Sequence, residues 1–261
     1  MYKDLYQSLP DPKAYLRRIH FAADTVNNTE TLNELVFSHL KTVPFENLDV
    51  LTAEKELPLG IEALFDKIVI RRRGGFCFEL NALFLSLLKA LSLDCWSVMA
   101  RVVWNKTFLP PHSHRANIVR MDGHLWLCDV GYGGPAPAGI VCLDTTEVQP
   151  IRGTNFRAEI TDGTATVYRE HNGTFGPLLT FGLKPNDPVD FIPLSFHQTL
   201  SPTSFFRKQK VISVHTDTGN KVIDGDTFRI RENGVITKEM ELSTPELFSS
   251  VLEKEFGIIL P

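Results

Sequence analysis

The sequence predicts an α+β fold whose first third is helical and whose remainder is largely antiparallel strand. Three observations carry this. From Pro12 to about Leu93 apolar residues recur at helical spacing; from Cys95 they run in short β-rich stretches; and Asp-Gly pairs at 122–123 and 162–163 punctuate those stretches as hairpin turns do. The helical repeats are Tyr15/Leu16/Ile19, Leu32/Leu35/Val36/Leu40 and Ile61/Leu64/Phe65/Ile68, with Thr31 and Glu34 expected as a capping box at the start of the second helix. The last helix is expected over residues 77–93, where Leu80, Leu83, Phe84, Leu87, Leu88 and Leu91 form one buried stripe with Cys77 at its N-terminal end. "CWSVMARVVW", "RANIVRM", "HLWLCDV", "FRAEI" and "TATVYRE" read as strands of an antiparallel barrel or sandwich. A Pro- and Phe-rich connection leads to a second β-containing stretch, "FRKQKVISVHT" to "NGVITKEMEL", and "STPE" announces a closing helix.

The 261 residues are 43% hydrophobic and 22% charged, the balance of a globular protein with a sizeable core, and no stretch approaches the ~20 apolar residues of a membrane span. A formal charge of −4 and a pI near 6.1 argue against nucleic acid as a partner and leave small molecules as the expected ones. "MYKDLYQSLPDPK" lacks the basic start and apolar run of a signal peptide, and four widely spaced cysteines form neither a metal knuckle nor a disulfide framework; a cytoplasmic location with reduced thiols is expected.

The chemistry centres on "RRRGGFCFELN". A helix N-terminus carries partial positive charge and unpaired N–H groups, which favour a thiolate at Cys77, and Gly74-Gly75 allow a sharp approach to the helix. A cysteine between phenylalanines also fits a small buried hydrophobe, so a partner is needed. The Asp122-Gly123 turn supplies one. As a two-residue loop it opposes Ala116 to Asp129, which makes His114 and Asp129 diagonal neighbours about 7–8 Å apart at the backbone. An imidazole oriented by a carboxylate beside a thiol is the arrangement of a nucleophilic cysteine. Zinc on His112, His114 and His124 is set aside, because His124 lies more than about 20 Å along the hairpin from His114. "GYGG" (Gly131, Tyr132, Gly133, Gly134) offers backbone N–H groups to phosphate oxygens, although a tight turn explains it equally well. Glu46, in the otherwise apolar "PFENL", needs a partner, and Arg73 is expected to be it, holding the glycine turn and aiming the thiol.

"RRGGFCFELN", "VPFENLDV", "SHRANIV" and "LCDVGYGG", in that order and spacing, resemble the signature segments of the arylamine N-acetyltransferases, and the resemblance runs nearly the whole chain. It implies a helical domain bearing the cysteine (residues 1–93), an antiparallel β-barrel bearing the histidine and aspartate (94–190), and a connecting segment with an α/β lid (191–261), built on a cysteine-protease-like core. It implies acetyl-CoA as acetyl donor, aromatic amines and hydrazines as acceptors, and a ping-pong reaction of xenobiotic metabolism through Cys77, with His114 as base, Asp129 as its orienter, and the glycine turn near coenzyme A. Phe45, Phe76, Val103 and Phe205 are expected walls of an apolar acceptor slot. An amide synthase of macrocycle formation, a papain- or transglutaminase-type hydrolase and a non-catalytic binding module are the competing readings.

Overall fold

The computed structural model describes residues 2–260. The helical part contains α1 (Pro12–Arg18), α2 (Thr29–Thr42), a two-residue strand β1 (Phe45–Glu46), then α3 (Leu48–Leu51), α4 (Ile61–Phe65) and α5 (Cys77–Ala90). A π-helical turn over Asp66–Ile70 continues α4 and, through the Arg71 N–H donated to the Asp66 carbonyl, delivers the chain to the loop before α5. Leu80, Leu83, Phe84, Leu87 and Leu88 of α5 have no exposed surface. Each contributes roughly 1.5–3 kcal/mol of burial, enough to fix this helix as the centre of the first core.

Two boundaries differ from the sequence reading. The cap of α2 is Asn28, whose side chain accepts from the Thr31 N–H while the Thr31 hydroxyl lies 3.4 Å from the Asn28 N–H; Glu34 instead pairs with Arg152 at 3.0 Å. Helix α5 ends at Ala90. Ser92 takes a left-handed φ of 61°, Leu93 N–H returns to the Leu88 carbonyl and Ser92 N–H to the Lys89 carbonyl, a Schellman closure made without glycine.

Strands β2 (Asp94–Val102), β3 (His114–Met121), β4 (His124–Cys128), β5 (Val141–Cys142), β6 (Gln149–Ile151), β7 (Thr154–Thr161), β8 (Thr164–His171) and β9 (Thr174–Gly182) form an eight-stranded sheet in the order β5-β4-β3-β2-β9-β8-β7-β6. Its pairings are antiparallel throughout, and it curls nearly into a barrel. Its two edges are joined by one side chain: Gln149 accepts from the Cys142 N–H at 2.7 Å and donates to the Cys142 carbonyl at 2.9 Å, imitating a strand. Inside lies a second core of small and β-branched residues with Phe156 and Phe181. Asp122-Gly123 has positive φ at both positions, as a type I′ turn requires, and Met121 pairs with His124 as expected from the loop length.

After α6 (Ile192–Leu200), strands β10 (Val211–His215), β11 (Gly219–Asp224), β12 (Thr227–Glu232) and β13 (Val235–Glu241) form a second sheet with β1 at its edge, and α7 (Pro245–Phe256) packs on it through a third core. Thr244 caps α7 and Pro245 starts it. Among the described residues no helix is long and apolar enough to cross a membrane.

Candidate active site

Cys77 is the first residue of α5 and is 2% exposed, at one end of a cleft of about 520 Å³ between that helix, the barrel mouth and the 203–211 segment. Its Sγ lies 3.9 Å from the Ser113 carbonyl oxygen. Phe76 offers no side-chain cap, so the Phe76 N–H is taken by the Glu79 carboxylate at 3.1 Å, the reciprocal half of a capping box.

The loop before Cys77 is set by buried charge. Arg73 donates from Nε and Nη2 to Glu46 Oε1 at 3.1 and 2.8 Å and from Nη2 to Asp49 Oδ1 at 2.8 Å. Lys67 joins Asp49 and Glu79, each at 2.8 Å. The expected Glu46–Arg73 pair is present as part of a five-member network; Asp49, Lys67 and Glu79 escaped the sequence reading. Burial penalises the Lys67 ammonium, but Glu79, Glu46 and Asp49 outweigh it and raise its pKa, whereas burial pushes the Glu79 carboxyl up against the pull of Lys67. Arg18 adds support by donating to the carbonyls of Ile68, Thr42 and Arg72. Gly74 is obligatory here for its size, since a Cβ would lie 2.1 Å from the Pro44 carbonyl oxygen.

His114 begins β3 and Asp129 follows β4, and the hairpin register brings His114 Nε2 to 2.6 Å from Asp129 Oδ2 with both side chains buried. Nδ1 is the ring nitrogen left for Cys77. Burial alone lowers the imidazole pKa, but the Asp129 charge and hydrogen bond, followed by the Cys77 sulfur, outweigh it and push His114 up to about 10. The Asp129 carboxylate thus favours the protonated ring. Tyr132 packs edge-on against it, with centroids 5.5 Å apart.

Asn81 completes the arrangement. One turn beyond Cys77 on the same face of α5, its Nδ2 donates to Asp129 Oδ1 at 2.8 Å and to the Arg115 carbonyl at 2.6 Å, and its Oδ1 accepts from the Val130 N–H at 3.1 Å. A polar residue four places after the cysteine, in an otherwise apolar stripe, was the signal available for it.

The glycine turn works differently from a phosphate nest. Gly131 N–H is spent on Asp129 Oδ1 at 2.9 Å, and none of the three glycines has positive φ. They permit close approach: a Cβ on Gly131 would stand 2.8 Å from Cys77 Cα, and one on Gly133 would stand 2.5 Å from the Phe45 ring. Gly131, Tyr132, Gly133 and Gly134 all line the cleft, as do Phe45 and Phe205. Phe76 and Val103 do not. Phe76 is fully buried against Phe78, with ring centroids 5.5 Å apart, and Val102, the last residue of β2, occupies the wall in place of Val103, which lies just past the strand. Among the described residues the other cleft side chains include Lys106 and His197 and no carboxylate. His124 is far from this site on the hairpin and bonds to Asp144, which also accepts from Cys142.

A family profile described as N-acetyltransferase matches residues 28–261. The chain is 31% identical over 247 residues to an arylamine N-acetyltransferase of Escherichia coli, an alignment that covers 94% of this chain and 87% of that protein. Among solved structures it resembles the arylamine N-acetyltransferase from Salmonella typhimurium with a TM-score of 0.91 at 28% identity, covering 97% of this chain and 92% of that one. It resembles the Mycobacterium marinum arylamine N-acetyltransferase in complex with CoA with a TM-score of 0.87 at 28% identity, covering 95% and 93%. Fold, site and relatives together define an acyltransferase. Within that class, the chain belongs to the arylamine N-acetyltransferase family.

Proposed function

We propose that the protein transfers acetyl groups from acetyl-CoA to arylamines and arylhydrazines by a ping-pong reaction through a thioester on Cys77, with O-acetylation of N-hydroxyarylamines as a related activity. The observation that carries this reading is the His114–Asp129 ion pair set beside a thiol at the N-terminus of α5. In the first half, Cys77 Sγ attacks the acetyl carbonyl, the bond from that carbon to the coenzyme A sulfur breaks, and the departing thiolate takes a proton from the His114 imidazolium. In the second half, the amine nitrogen attacks the Cys77 thioester, His114 accepts its proton, and the bond to Sγ breaks. Asp129 holds the imidazolium in place through both halves.

A cleft lined by Lys106 and His197 without a carboxylate suits the phosphates of coenzyme A, which the M. marinum relative holds in its structure. The glycine turn serves it by letting the chain pass close against Cys77 and Phe45 along the cleft wall, and Phe45 and Phe205 offer flat apolar surface to an aromatic acceptor. Free cysteines accord with a cytoplasmic enzyme of xenobiotic metabolism.

Intact-mass analysis after incubation with acetyl-CoA tests the reading. One acetyl group should appear on the wild type, be absent from Cys77→Ala, and be discharged on adding an arylamine. Hydrolysis of acetyl-CoA with no adduct and no dependence on amine would assign the site to a hydrolase instead.

A further inference from the structure

A second cavity, of about 430 Å³, lies on the other side of β3 from the cleft. Leu5, Leu9 and Leu59 form an apolar wall, Ala82, Leu85 and Ser86 of α5 face them, and Arg115 reaches it from β3. His114 and Arg115 are adjacent on the strand, so the first points to the cleft and the second away from it.

Arg115 is 3% exposed. Its Nε donates to Ser97 Oγ at 3.0 Å and its guanidinium lies 4.4 Å from the Phe191 ring centroid, but among the described residues no protein acceptor meets its Nη groups and no carboxylate pairs with it. Burial lowers its pKa to about 9, and the one neighbouring charge that favours its ionised form is that of the Cys77 sulfur. A buried guanidinium ordinarily has a carboxylate opposite, because stacking on an aromatic face compensates only part of its desolvation. Every other buried cation of the helical region follows that rule or is saturated: Lys67 and Arg73 have acids, and Arg18 has three carbonyls.

We propose that this cavity binds a small monocarboxylate with an apolar body, its carboxylate paired with the Nη groups of Arg115 and its body against Leu5, Leu9, Leu59 and Leu85. Of the two cations that line the cavity, Arg115 is buried and Lys89 is exposed to solvent, so a single negative charge suits the interior, and a guanidinium edge presents the parallel donors that a carboxylate accepts. A dianionic phosphate would bring surplus charge into a largely apolar wall.

Calorimetric titration of octanoate into the full chain is the test. The wild type should show one saturable site of roughly millimolar affinity or tighter, as the size of the ligand permits. Arg115→Met should weaken it by about 10- to 100-fold, the loss expected for a charge-assisted hydrogen bond. Lys106→Ala, which alters the cleft, should leave it unchanged, and octylamine should not bind. Should Arg115→Met fail to fold, Ser86→Phe decides, since it fills the cavity from a half-exposed position and should abolish binding. No saturable binding of octanoate to the wild type, binding indifferent to Arg115→Met or Ser86→Phe, or binding lost in Lys106→Ala would overturn the proposal.

Discussion

Arg73→Ala separates a structural arginine from its two neighbours in "RRRGG". The Arg73 side chain is 9% exposed and Glu46, its partner at 2.8 Å, is fully buried. Removing one member of a buried ion pair costs ~3–5 kcal/mol, because the other is left charged without compensation. Lys67 lies within electrostatic range of Glu46 and compensates part of the loss, which places the expected cost near ~3 kcal/mol. For a chain of this size, 1 kcal/mol corresponds to roughly 2 °C, so the melting temperature should fall by about 6 °C. Arg72 is exposed, and Arg72→Ala should stay within ~0.5 kcal/mol of the wild type. Differential scanning calorimetry measures the stability, and the rate of Cys77 alkylation by iodoacetamide reports whether the loop still aims the thiol. Arg73→Lys, which retains the charge but not both contacts to Glu46, should recover part of each. An Arg73→Ala protein that melts within about 1 °C of the wild type and is alkylated at the same rate would refute the idea that this network sets the loop.

Asp129→Asn removes the charge that keeps His114 protonated and should lower the rate of acetyl transfer by ~10³–10⁴-fold; a loss under tenfold in a stopped-flow assay would deny His114 its assigned role. The same variant carries a pH signature. With His114 at about 10 in the folded protein against 6.5 ordinarily, its stabilisation is complete below pH 6.5, declines by up to ~1.4 kcal/mol per pH unit above it, and is gone once pH passes about 10. Urea midpoints between pH 6 and 10 should therefore fall more steeply for the wild type than for Asp129→Asn, and parallel curves would contradict the raised value. Gly131→Ala should cost ~1–3 kcal/mol by pressing on Cys77 Cα and Asn81, whereas Gly182→Ala, with nothing within 4 Å of the added carbon, should be neutral; equal melting temperatures for the two would show that the contact at Gly131 relaxes freely.

The parts of the site that were legible in the sequence are those fixed by local rules. A two-residue Asp-Gly loop sets strand register without freedom to slip, so the meeting of His114 and Asp129 followed from counting residues. Glu46 was legible because a carboxylate in an apolar run demands a partner, and the nearest arginines before the glycine turn supplied it. What the sequence withheld depends on direction or on distant packing. Residue type alone points Phe76 and Val103 to the cleft, but the chain leaves β2 after Val102, and a residue at a helix start can turn inward. The end of α5 was overrun because its left-handed residue is Ser92, and periodicity continued through Leu91 and Leu93. The cap of α2 was displaced because "NNTETLNE" holds two overlapping box patterns, and only the entering backbone decides between Asn28 and Thr31. Gln149 joining the barrel edges has no local signal at all.

Glu46 belongs to three connections at once. It pairs with Ile212 in the second sheet, its N–H donates to the Gly75 carbonyl at 2.9 Å, and its carboxylate holds Arg73. Phe45 bridges in parallel to Gly75 on the same short strand. Recombination between relatives is constrained accordingly. A chimera that exchanges residues 211–256 at the connecting segment would cut between two sides of one hydrogen-bonded edge, so residues 44–46, 73–75 and 211–214 must come from the same parent if the thiol is to keep its place.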